Sequence, residues 1–136
     1  MAVIQDGIRA GENGAISFGN YEAKEKIKVD DFACAGDVYK VRTHCEVTRL
    51  ERNGKLLMET VPGAAIHNLL VSDTCIRFGA TGKDATQVTM ELESETDYKL
   101  TIDNESESNM KTNRSGKVTF SLELCGEETT VQIEKQ

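Results

Sequence analysis

The sequence predicts an all-β protein, either an antiparallel β-sandwich or two small packed β-lobes of short strands. Three observations predict it. Apolar and polar residues alternate with period two in segment after segment, turn-forming residues separate those segments, and no long stretch carries the apolar spacing of a helix. A length of 136 residues suits one cooperative core. Residues 1–136 are therefore expected to form a single β domain, with a soft lobe boundary near residues 72–82.

The C-terminal half carries the clearest alternation. Val88, Met90 and Leu92 alternate with Thr89 and Glu91; Tyr98, Leu100 and Ile102 alternate with Lys99 and Thr101; Val118, Phe120, Leu122 and Leu124 alternate with Thr119, Ser121 and Glu123. Val131 and Ile133 repeat the pattern. With Glu93 to Asp97 and Asp103 to Asn109 as polar turns, this half reads as an antiparallel meander.

The N-terminal half follows the same grammar with more interruptions. Ile16 and Phe18 precede Gly19-Asn20, and Ile27 and Val29 precede Asp30-Asp31. A longer strand from Val38 puts Tyr39, Val41, Thr43, Cys45 and Val47 on an expected core face, with Lys40, Arg42, His44 and Glu46 opposite. Asn53-Gly54 is a type I′ hairpin signal, because both turn positions need positive φ. It sets Leu50 opposite Leu57. Pro62-Gly63 ends the hairpin, and Ala64 to Val71 fits a short helix or an irregular strand equally well.

Composition narrows the function classes. The chain is 38% hydrophobic, enough for a packed core, and its 5% aromatic content without tryptophan leaves that core to aliphatic residues. A net charge of −7 repels phosphate backbones, so nucleic acid is not expected as a partner. No run approaches 18 apolar residues and Met1 to Gly7 lacks a basic, then apolar, leader pattern, so no membrane association and a cytoplasmic location are expected. Cys34, Cys45, Cys75 and Cys125 are widely spaced, which fits reduced thiols rather than a disulfide scaffold or a zinc site.

No motif points to catalysis, a metal or a cofactor. Gly79 to Asp84 resembles a phosphate loop superficially, but Arg77 and Asp84 stand where the pattern needs glycine and a hydroxyl residue. Asp103, Glu105 and Glu107 have calcium-like spacing without the glycine and distal glutamate of that loop. His44 reads as a solvated side chain on a polar strand face, and His67 as a hydrogen-bonded packing residue.

Two candidate surfaces remain. Lys40, Arg42 and His44 share a strand face, and Arg52 follows at the next hairpin, a grouping that could hold an anion. Val3, Ile4 and Ile8 form a short apolar N-terminal segment able to extend onto another subunit. The many short strands must also leave sheet edges with unpaired backbone groups, which template pairing with a second chain.

The runs Gly14 to Tyr21, Asp37 to Val41, Leu50 to Lys55, Glu59 to Asn68, Met110 to Asn113 and Ser115 to Lys117 resemble a family of small bacterial proteins from anaerobic Firmicutes, often labelled "endosialidase catalytic beta chain". The resemblance implies an acidic glycan as a partner and assigns no role to any residue. Read from its residues alone, the chain is expected to be a non-catalytic β module that binds itself or another protein. An enzyme or lectin acting on an acidic glycan is the alternative.

Overall fold

The computed structural model describes residues 3–124 and 127–136. In chain order the strands are β1 (Ile8–Ala10), β2 (Ile16–Phe18), β3 (Ile27–Cys34), β4 (Asp37–Thr43), β5 (Thr48–Arg52), β6 (Lys55–Val61) and β7 (Ala65–Val71). Then follow β8 (Cys75–Thr81), β9 (Thr86–Glu91), β10 (Asp97–Ile102), β11 (Ser106–Lys111), β12 (Lys117–Leu122) and β13 (Thr129–Lys135).

These strands form two antiparallel sheets packed as a sandwich. The seven-stranded sheet has the order β1-β2-β7-β8-β13-β10-β11, and the six-stranded sheet β12-β9-β6-β5-β4-β3. Period-two alternation gives each strand one apolar side, and the two apolar faces meet. Val41, Leu50, Met58, Val88 and Met90 from one sheet and Ile16, Phe18, Ile66, Val131 and Ile133 from the other belong to a single buried cluster. Among the described residues no helix is long and apolar enough to cross a membrane.

The expected sandwich is present, and its connectivity differs from the expected C-terminal meander. Strands β9 and β12 lie in the six-stranded sheet, whereas β10, β11 and β13 lie in the other, so the chain changes sheets three times after β9. Alternation marks a half-buried strand without naming its neighbour. Within the stretch read as a polar turn, residues 106–111 form β11, paired to β10 without a register shift. An edge strand needs backbone bonds on one side only, and all its residues except Met110 are exposed.

Other corrections are local. Strand β4 ends at Thr43, and the chain turns through residues 44–47, closed by the Val47 carbonyl accepting from the His44 N–H at 2.9 Å. Cys45 is consequently exposed and Val47 only half-buried, off the expected core face. The Asn53-Gly54 turn has positive φ at both positions (52° and 83°), as a two-residue hairpin requires. Its register slips by one residue beyond Leu56, so Leu50 faces Met58 rather than Leu57. Asp30-Asp31 is a bulge within β3 instead of a turn. Residues 64–71 resolve to an irregular strand: the register of β7 shifts between His67 and Leu70, where Asn68 takes a φ of 54°.

One buried polar row fixes an end of the sandwich. Thr43, Thr48 and Thr60 are cross-strand neighbours on β4, β5 and β6, and none exposes any surface. The Thr48 hydroxyl donates to the Ala64 carbonyl (2.9 Å) and accepts from the Ala64 N–H (3.3 Å). Its proton being used there, the 2.8 Å contact between Thr43 and Thr48 hydroxyls is donated by Thr43, which accepts from the Asn20 N–H at 2.8 Å. The relay ties the N-terminal segment and the β6–β7 crossover to the six-stranded sheet. Gly63 lets that crossover touch the β4–β5 turn, where a Cβ would overlap the His44 carbonyl.

Thr60 completes the row, yet its hydroxyl has no hydrogen-bond partner. Such a buried group is unfavourable, whereas removing Thr48 orphans the groups it satisfies. Urea unfolding should therefore separate two isosteric changes: Thr60→Val raises stability by about 1 kcal/mol, and Thr48→Val lowers it by about 2–3 kcal/mol. A loss on Thr60→Val equal to that on Thr48→Val would contradict the assignment.

Candidate functional site

The four cations singled out in the sequence do not converge. Lys40 and Arg42 lie on the outer face of the six-stranded sheet, and His44 lies beyond the end of β4 in the following turn. Arg52 is the cross-strand partner of the buried Tyr39, so its side chain lies on the opposite, core-facing side at the end of the sandwich.

Carboxylates answer the outer cations. Arg42 pairs with Asp30 at 2.9 Å and donates to its neighbour's carbonyl, Val41 O, at the same distance. Arg49, opposite Arg42 in register, meets Glu59 at 3.1 Å and Glu51 at 3.5 Å. Lys40 stands opposite Glu51. Exposed pairs of this kind contribute at most about 1 kcal/mol each, but together they remove the unbalanced positive field an anion would need. Among the described residues no group of three or more His, Cys, Asp or Glu side chains is placed to hold a metal ion. Cys34, Cys45 and Cys75 are free thiols; Cys125 lies outside the described residues. His67 meets the Thr81 hydroxyl at 2.9 Å.

The apolar N-terminal segment lies against its own chain. Val3, Ile4 and Ile8 are 3%, 2% and 5% exposed, so their apolar surface is covered by this chain itself. Val3 packs with Tyr21 and Ala65, and Ile8 joins the main core. The Ile4 N–H bonds to the Gly19 carbonyl at 3.0 Å, which fastens the segment down.

The sheet edges leave backbone groups open. Four strands end the two sheets: β1, β11, β12 and β3. Three are blunted in recognised ways. Strand β1 has only three residues. Strand β3 is broken by its bulge and displays Lys28, Asp30 and Asp31. On β11 the Leu100–Ser108 alternation turns the backbone groups of Glu107, Asn109 and Lys111 outward, so two of the three outward residues are charged.

Strand β12 lacks these defences. It pairs with β9 over six residues without a register shift. The Leu92 N–H bonds to the Gly116 carbonyl at 2.7 Å, and antiparallel ladders alternate. Val118, Phe120 and Leu122 therefore spend their N–H and C=O groups on β9, and Lys117, Thr119 and Ser121 turn theirs to the open side. Asn113 occupies those of Lys117, its side chain accepting from the Lys117 N–H (3.0 Å) and its own N–H donating to the Lys117 carbonyl (3.1 Å). Thr119 and Ser121, uncharged and exposed, are left with outward-facing donors and acceptors. The sequence identified β12 as a strand; nothing in it marked β12 as the unguarded edge.

At the far end of β5, burial raises the Tyr39 phenol above its ordinary range; Asp37 adds to this and Arg52 opposes it. The unfolded chain then loses this proton first, so the native state holds more protons between the ordinary tyrosine pKa and the raised one. Stability contributed by the phenol is full below about pH 10 and is lost as pH rises through the raised value. Urea midpoints at about pH 8 and about pH 10.5 should fall further in the native protein than in Tyr39→Phe. Equal falls would remove Tyr39 as the source.

Comparison of the chain with family models, with curated proteins and with solved structures gave no match, and the functional reading accordingly rests on the geometry of these edges.

Proposed function

We propose that this chain is a non-catalytic β module that associates with a second copy of itself, or with a protein partner, by strand addition along β12. The observation that carries the reading is the pair of outward-facing, uncharged residues Thr119 and Ser121 on a regular edge strand whose ladder to β9 is unbroken. Main-chain hydrogen bonds supply affinity in such a contact, and alternate side chains supply selectivity. An isologous contact of β12 with its copy closes a two-fold dimer and joins two six-stranded sheets edge to edge. The ion pairs around Arg42 and Arg49 favour this reading over capture of an acidic glycan on the same sheet's outer face.

Light scattering over a concentration series tests it. The native chain should be a dimer, and Ser121→Pro should be a monomer with an unchanged circular dichroism spectrum, because the lost N–H points away from β9. The double variant Thr119→Lys, Ser121→Lys should act likewise through charge repulsion. A native monomer at every concentration overturns self-association. A dimer that survives both variants places the contact elsewhere.

A further inference from the structure

At the end of the sandwich remote from the threonine row, the two sheets part and leave a cleft of about 580 Å³. That is the size of a site for one small molecule, such sites spanning roughly 300–1,000 Å³. Both sheets contribute to its floor. Leu57 comes from β6, Ile76 from β8, Tyr98 from β10 and Ile133 from β13, and all four are buried side chains of the main core.

The walls are held in place by hydrogen bonds independent of any ligand. The turn from β7 to β8 is closed by Ser72, whose hydroxyl donates to the Cys75 carbonyl (3.0 Å) and accepts from the Cys75 N–H (3.1 Å). Opposite, Asn53 is tied to the start of β4 through the Val38 N–H (2.9 Å) and the Asp37 carboxylate (2.8 Å). This fixes the residue next to Arg52.

Charge in the cleft is unevenly answered. Its lining carries three carboxylates and two cations: Glu93 meets the Lys135 ammonium at 2.6 Å, Glu91 stands opposite Lys117 in the β9–β12 ladder without an ion pair, Asp73 is exposed in a turn, and Lys55 is exposed at the hairpin beside Arg52. Arg52, half-buried at the rim, is hydrogen-bonded to the Tyr39 phenol but has no carboxylate within 4.0 Å among the described residues, unlike Arg42 and Arg49 on the sheet's outer face. A partly desolvated guanidinium beside an apolar floor is best satisfied by a planar anionic group carried on an apolar body. We propose that the cleft binds a small amphipathic anion, an aryl or alkyl carboxylate or sulfonate, with its charged group on Arg52 and its body over Leu57, Ile76 and Ile133. This site is separate from the β12 edge, and its occupancy does not depend on assembly there.

The probe is 8-anilinonaphthalene-1-sulfonate, an aryl sulfonate of suitable size, titrated by fluorescence into the folded chain. One saturable site per chain is expected. Arg52→Gln should weaken it at least about tenfold, Arg52→Lys should retain part of the affinity, and Arg49→Gln and Ser121→Pro should leave it unchanged. The uncharged N-phenyl-1-naphthylamine should bind more weakly than the sulfonate. No saturation up to millimolar probe, equal affinity in Arg52→Gln, or an equally tight uncharged analogue overturns the proposal. If Arg52→Gln fails to fold, amide shift mapping on the native protein decides. Shifts centred on Leu57, Ile76 and Ile133 support the cleft, and shifts centred elsewhere overturn it.

Discussion

The hydroxyl of Thr48 is the constraint on which the arrangement of the sandwich turns. It lies fully buried and serves both the N–H and the C=O of Ala64, the residue through which the chain leaves the six-stranded sheet for the seven-stranded one. A buried crossover cannot leave its peptide groups unpaired without losing stability comparable to a large fraction of the total. Because Thr43 extends the same relay to Asn20, the N-terminal segment is docked by the interaction that docks the crossover. One end of the molecule is thereby closed, and a cleft lies between the sheets at the other.

That closure explains the placement of apolar residues near the N-terminus. With Asn20 fixed and the Gly19 carbonyl holding Ile4, Val3 packs on Tyr21 and Ala65 and Ile8 enters the main core. Exposed features then include the polar faces, on which Arg42 and Arg49 are paired with carboxylates, the apolar side chains of Val38, Val61 and Leu70, and the sheet edges. Of the edges, β3 and β11 carry outward charge and β1 is short, so the burden of being open falls on β12. A strand with Thr119 and Ser121 facing outward remains compatible with a dissolved monomer and with controlled pairing.

The candidate site was only partly legible in the residues. The alternation of Val118, Phe120 and Leu122 with Thr119 and Ser121 established a half-buried strand, but edge position depends on which strands sit beside it, and β9 reaches β12 across an excursion into the other sheet. Likewise, Lys40, Arg42, His44 and Arg52 lie close in sequence, yet strand pleating sends Arg52 to the core side, and Asp30 and Glu59 arrive from other strands to pair with Arg42 and Arg49. Neighbourhood along the chain is a poor guide to charge balance in a sheet, where the nearest partner is usually across the ladder.

What the sequence by itself determined was the all-β class, the half-buried faces of most strands and the Asn53-Gly54 turn, because these follow from local periodicity and backbone sterics. The polar strand β11 escaped that reading because an edge needs no apolar side chain to pair. The tertiary structure alone decided the sheet order, the bulges in β3 and β7, the one-residue slip that faces Leu50 with Met58, and the cleft beside Arg52. Each of these depends on hydrogen bonds and packing between residues far apart in the chain, and period-two alternation is the same whichever strand lies alongside.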